Sequence, residues 1–231
     1  CTYQAISGAG KTFERWPEMV DNVIPYIGGE EEKSEQEPLK IWGHIEGDKI
    51  VKVGPASQIE VPADAQVIDA KGKYTAPGLV DIHNHGGGDW LFAENPKYCS
   101  EFFIKHGVTT VLPTFYHNLD MQMMLAGAEK VRQASKTGAG KIMDGLYMEG
   151  PFMSLSGSMQ NQIKWTGDIQ ESDYVDLIES FGDMVLVWAI DPDRENIEAF
   201  MQYAKEKTPQ AVFAHGHSRA TFEAVDKLKH Y

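Results

Sequence analysis

From Val67 onward the chain keeps a regular alternation. Apolar, strand-like runs appear as GLVDIHNH (78–85), GVTTVLPT (107–114), IMDGLYMEG (142–150), MVLVWAI (184–190) and QAVFAHGH (210–217). Between them lie PKYCSEFFIKH, LDMQMMLAGAEKVRQASK, SDYVDLIESF and RENIEAFMQYAKEK, and SRATFEAVDKLKH closes the chain. These intervening stretches place apolar residues near i, i+3 and i+4, the spacing of one helix face. Ser172 and Asp193 are expected helix caps, and Gly107 and Gly138 expected helix stops. Strands that alternate with helices predict βα units on a parallel sheet, whose strands are buried on both faces and read as near-continuous apolar runs. The pattern predicts about five such units. Five suffice for an open doubly wound sheet. They are also part of a (β/α)8 barrel, whose remaining units would lie beyond Tyr231. The pattern alone leaves both architectures open.

The first 43 residues have a different texture. GEEEKSEQEPLK (29–40) is an acidic run that reads as a solvated helix face or loop. After it, IWGHIEGDKIVKVGP predicts a hairpin turning at Gly47-Asp48, with Ile41, Ile45, Ile50, Val51 and Val53 flanking the turn. Three parts are therefore expected: an N-terminal segment over 1–43, a partial small β domain over 44–76, and the βα region over 77–231. The chain starts with Cys1 and ends within a helical pattern, so both ends read as cut.

Composition narrows the classes. A chain of 231 residues, 42% hydrophobic, can bury a sizeable core. A net charge of -13 argues against a nucleic-acid-binding surface or an anionic membrane as partner. No apolar run has the length of a spanning helix, and no leader pattern opens the chain. Two cysteines, Cys1 and Cys99, make no disulfide framework, so a cytoplasmic setting is expected.

Candidate chemistry gathers at the C-terminal ends of the expected strands. His83 and His85 end the first, Glu149 the third and His215 and His217 the fifth, while Asp191 and Asp193 follow the fourth. Active sites of parallel α/β folds form along this edge. Imidazole nitrogen and carboxylate oxygen together suit Zn, Fe, Mn or Co. A lone strand-end histidine is more often a structural hydrogen-bonder, but three polar strand ends on one edge favour a metal site. His44, His106, His117 and His230 read as structural or surface residues, with His117 near enough to the edge to reach it. No GxGxxG follows a strand, so a dinucleotide site has no support.

Three ordered motifs, IDAKGKYTAPGLVDIHNHGGG, GLYMEGPF and AHGHSRATFEA, carry a resemblance. Residues 45–231 resemble the amidohydrolase superfamily, in its N-acetylglucosamine-6-phosphate deacetylase branch. The resemblance implies an α/β fold, here a partial (β/α)8 TIM-type barrel of about five units, preceded by the hairpin and the unrelated N-terminal segment. It implies metal-dependent hydrolysis of an amide in a small N-acetylated substrate, with one or two divalent ions as cofactor. His83, His85, Glu149 and His217 match the family's metal ligands. Gln160, Asn161 and His215 are the candidates for substrate contact. The family's general base lies in later strands, so no catalytic residue is expected within this chain, and turnover is expected to be weak or absent. A homodimer would be compatible with the family.

Two stretches depart from the family pattern. MSLSGSMQNQIKW stands where the family writes KKGAHN or similar, and WAIDPD where it writes TLAPE. Residues 1–50 resemble instead a fragment of aspartate-semialdehyde dehydrogenase, with Gln4, Glu30 and Lys33 at matching positions, but without that family's catalytic cysteine, catalytic histidine or nucleotide-binding half. The alternatives to a hydrolase are thus a dehydrogenase-related fragment and a non-catalytic chimera.

Overall fold

The computed structural model describes residues 41–46, 49–68, 76–154, 165 and 167–231. Gln160 and Asn161, the turn at 47–48 and the segment before residue 41 lie outside the described residues. The chain divides into two compact units, parted between Pro77 and Gly78.

In the first unit, β1 (Ile41–Glu46) pairs antiparallel with β2 (Lys49–Pro55), with Glu46 opposite Lys49. This is the hairpin that the sequence predicts. Ile50, Val51 and Val53 are exposed on it.

The second unit is built on one parallel sheet of five strands: β3 (Leu79–Asn84), β6 (Val108–Tyr116), β7 (Leu146–Glu149), β8 (Val185–Ile190) and β9 (Val212–His215). A small hairpin of β4 (Gly86–Gly87) and β5 (Trp90–Leu91) follows the first strand. Four helices join the strands, α1 (Pro96–Lys105), α2 (Met121–Ala134), α3 (Glu171–Phe181) and α4 (Ile197–Lys207), and α5 (Phe222–Leu228) follows the last strand. The spatial order of the sheet is β3-β6-β7-β8-β9. Every strand is added beside its predecessor, with no reversal of direction around the sheet. A doubly wound sheet reverses at a switch point, whereas a (β/α)8 barrel progresses in chain order. The second unit is therefore a partial TIM-type barrel, and the open alternative is removed.

The core lies between the sheet and its helices. Trp188 on β8 and Phe152 pack on Phe200 of α4, with ring centroids 5.3 and 4.5 Å apart. Phe92, Phe115, Met148, Leu177 and Phe181 are also fully buried. Removing each such side chain from water contributes roughly 1.5–3 kcal/mol.

Local chemistry sets most of the helix starts. Asn95 accepts from the Tyr98 amide, with Pro96 in the first turn of α1, and Asp120 accepts from the Met123 amide of α2. The helix stop at Gly107 holds, for this residue follows α1 with φ of 79°.

Other boundaries differ from expectation. α3 is capped by Gln170, whose amide donates to the Asp173 carboxylate at 2.8 Å, and Ser172 lies inside the first turn. α4 is capped by Asn196, while the Asp193 amide is engaged by Asp191 Oδ1 at 3.0 Å. Gly138 opens a 3-10 turn rather than directly following α2. Ile142 closes that turn, so the third strand begins at Leu146 and not at Ile142. Ile142 and Met143 are buried nonetheless. An apolar run reports burial, and burial does not require strand pairing. The outer strands also expose apolar residues: Val80 and Ile82 on β3 and Val212 on β9.

One half-buried cation ties the loops at the C-terminal edge. The Arg194 guanidinium donates to the carbonyls of Met153, Trp165 and Gly167. Burial pushes its pKa down, against the pull of Asp191 and other carboxylates.

Candidate metal centre

His83 and His85 are two apart at the end of β3. His83 lies in β3 and His85 just past its end at Asn84, and both imidazoles turn to the same Glu149 oxygen. Tyr147 packs edge-on against the His83 ring, with centroids 4.5 Å apart, and Tyr116 lies 4.5 Å from the His85 ring. Thr114 on β6 fixes the turn behind them. Its hydroxyl accepts from the Asn84 amide at 2.9 Å, and its carbonyl lies 3.3 Å from His85 Nδ1. With the proton on Nδ1 donated there, Nε2 of His85 carries the lone pair. Asp81 completes the turn by accepting from the His83 amide and the Asn84 side chain.

Glu149 is the last residue of β7 and is buried. Parallel register sets it beside Tyr116 on β6 and Ala189 on β8. Its carboxylate faces imidazoles with both oxygens. Oε2 lies 3.3 Å from His83 Nε2 and 3.0 Å from His85 Nε2. Oε1 lies 2.8 Å from His217 Nε2. Burial raises the Glu149 pKa, but the hydrogen bonds and charges of His83 and His85 more than offset it. The carboxyl is held well below the usual carboxylate range.

His217 stands just past β9 with a left-handed φ of 51°. Histidine tolerates that region better than most residues. On either side its chain is tied to the neighbouring strand end. The Gly216 amide donates to the Ile190 carbonyl at 3.2 Å, and the Ser218 hydroxyl donates to Asp191 Oδ1 at 2.5 Å.

The structure thus brings together His83, His85, Glu149 and His217. One donor atom from each of His83, His85 and Glu149 lies within 4.8 Å of the others. His217 stands outside that tight group because it approaches the opposite oxygen of the shared carboxylate. Two imidazoles and a carboxylate oxygen form a donor set that fits a divalent transition metal, with His217 a further nitrogen on the far side. The anionic state of Glu149 fits it too.

His215, expected beside His217, is exposed and does not join the cluster. His117 is buried, and both its ring nitrogens lack a hydrogen-bond partner among the described residues. Burial lowers its pKa, so this imidazole is held neutral. Asp191 is buried and serves the Ser218 hydroxyl and the Asp193 amide. Thr114, Tyr116 and Tyr147, which orient the histidines, escape the motif reading. Period-two alternation along their strands was the available signal for the two tyrosines.

No family model matches the chain. The chain is similar to N-acetylglucosamine-6-phosphate deacetylase of Danio rerio, 25% identical over 162 residues, covering 64% of this chain and 35% of the relative. It is also similar to aspartate-semialdehyde dehydrogenase of Archaeoglobus fulgidus, 53% identical over 47 residues, covering 20% of this chain and 14% of the relative. Both resemblances of the sequence are thereby found. Among solved structures, a mutant N-acetyl-D-glucosamine-6-phosphate deacetylase from Mycobacterium smegmatis, in complex with N-acetyl-D-glucosamine-6-phosphate, superposes with a TM-score of 0.61. That match is 25% identical and covers 80% of this chain and 48% of the other. The chain therefore spans about half of the solved relative and about a third or less of these curated ones.

Proposed function

We propose that residues 77–231 are the metal-binding part of a hydrolase that cleaves the amide of a small N-acetylated amino-sugar phosphate. The observation that carries this reading is the Glu149 carboxylate, with His83 and His85 facing one oxygen and His217 the other. A bound divalent ion, Zn, Fe, Mn or Co, would supply Lewis acidity toward an amide carbonyl and a water acidic near neutrality.

The chain's own residues do the rest. His83, His85 and His217 offer Nε2 lone pairs, and the Thr114 carbonyl holds the useful tautomer of His85. Glu149 stays anionic, which favours a cation between the imidazoles. Tyr147 and Tyr116 hold the rings of His83 and His85 from the side. Gln160, Asn161 and His215 are proposed to contact the substrate. Residues 44–76 are proposed as part of a small β domain, and residues 1–43 as a separate segment of dehydrogenase ancestry. The similarity to deacetylases, one of them bound to N-acetyl-D-glucosamine-6-phosphate, supports the substrate class.

Metal content tests this reading. The purified chain, dialysed against zinc or manganese, is expected to retain metal by elemental analysis. The double substitution His83→Ala with His85→Ala is expected to remove it. Equal metal in the wild type and the double variant would sink the proposal.

A further inference from the structure

We infer that Asp191 and Ser218 form a positioning pair that fixes the His217 imidazole against Glu149. The inference rests on the reading of His217 as a ligand, but its geometry stands by itself. Asp191 follows β8 and is buried. Its backbone amide donates at 2.9 Å to the carbonyl of Phe152, in the loop that leaves Glu149. Its carboxylate receives the hydroxyl of Ser218, the residue after His217. The same carboxylate oxygen accepts the Asp193 amide, and the Ser218 oxygen accepts the Ala220 amide at 2.9 Å. One residue thus bonds to the loop behind Glu149 and to the loop carrying His217.

His217 needs such support. A left-handed backbone at a residue other than glycine persists where its surroundings over-determine it. Here Gly216 is tied to Ile190 and Ser218 to Asp191, so both flanks of His217 are pinned to the end of β8. The end of β8 holds the backbone around His217, through the Ile190 carbonyl and through Asp191 and the Ser218 hydroxyl.

Four variants and two readouts test the pair. Asp191→Ala and Ser218→Ala remove it, while Asp191→Asn and Ser218→Thr keep an acceptor and a hydroxyl. In metal-free protein the low-field ring proton shared by His217 and Glu149 is followed by NMR, and assigned by its loss in His217→Ala. Zinc affinity is measured by competition with a chromophoric chelator. Both alanine variants are expected to lose the ring proton and to weaken zinc binding by about 10-fold or more, the range for residues that orient a metal ligand. The asparagine and threonine variants are expected to keep both properties. A ring proton that survives in the alanine variants overturns the inference. So does its loss in the conservative pair, for then general stability and not the hydrogen bond is at work. If the wild type binds no zinc while the ring proton behaves as stated, the metal reading falls and the positioning pair stands.

Discussion

Gly150 shows how closely the site is packed at the level of single residues. It follows Glu149 with φ of 121°, and a Cβ placed there would lie 3.3 Å from the Cα, Cβ and N of His117. Any side chain must therefore adopt a backbone that suits glycine and also displace the strand end that carries His117. Gly150→Ala is expected to cost about 1–3 kcal/mol and to lower the urea midpoint accordingly. An unchanged midpoint would show that the β7 end moves freely. The residues nearest this one were unequally legible in the sequence. His83, His85, Glu149 and His217 stood out because polar side chains ended apolar runs. Asp191 stood out too, but its partner did not, since a bond between adjacent strand ends leaves no spacing to read. His215 and His217 both read as the end of the fifth strand. The strand ends at His215 and the chain turns left-handed two residues later, so strand alternation no longer applies.

Between elements, the contact of α2 with α3 is fastened by Arg132. Its guanidinium makes a two-pronged pair with Asp183, at 2.6 and 2.7 Å, and donates to the Ser180 carbonyl at 3.1 Å. The Arg132 hydrogen bond holds the Asp183 carboxyl below the usual carboxylate range. Because the folded pKa is depressed, this stabilisation is present above the unfolded value near 3.9 and is lost as pH falls through the folded one. Asp183 is largely exposed, so solvent screening limits the pair to about 0.5–1 kcal/mol. Arg132→Met is expected to lower the thermal midpoint slightly at neutral pH. The difference from wild type should shrink in acid below about pH 3.9. A difference that grows in acid would contradict this account. The elements themselves were largely legible, since the 3.6-residue period and the apolar runs marked each helix and strand of the sheet. Their starts were less so. Ser172 and Asp193 are good cap residues that lost to Gln170 and Asn196: Gln170 forms a local capping box with Asp173, and the Asn196 side chain donates to the distant Ile169 carbonyl.

Across the whole second unit, the sheet is paired on one side only at each end. Among the described residues β3 pairs with β6 alone and β9 with β8 alone. Val80 is 64% exposed, Ile82 59% and Val212 58%. Open edges with apolar side chains template association with another chain, while a net charge of -13 opposes it. Association is therefore expected to rise with protein concentration and with salt, which screens the repulsion. Light scattering after size exclusion would record this, and Val80→Lys with Val212→Lys should shift the population toward monomer. A wild type that stays monomeric in high salt would refute the expectation. The alternation of βα units left strand order open, and only the family resemblance of the three motifs pointed to the sequential order of a barrel that the sheet has.

Arg194 bears on how this architecture tolerates change. Its guanidinium gathers the carbonyls of Met153, Trp165 and Gly167 at one point, so the two ends of the stretch after EGPF are already closed. The entropy of closing a loop grows only with the logarithm of its length, about 0.6 kcal/mol for each doubling. Insertions, deletions or a rewritten composition between those ends would therefore leave the strand bearing Glu149 nearly undisturbed. The sequence there is free to diversify over evolutionary time while the scaffold stays constant.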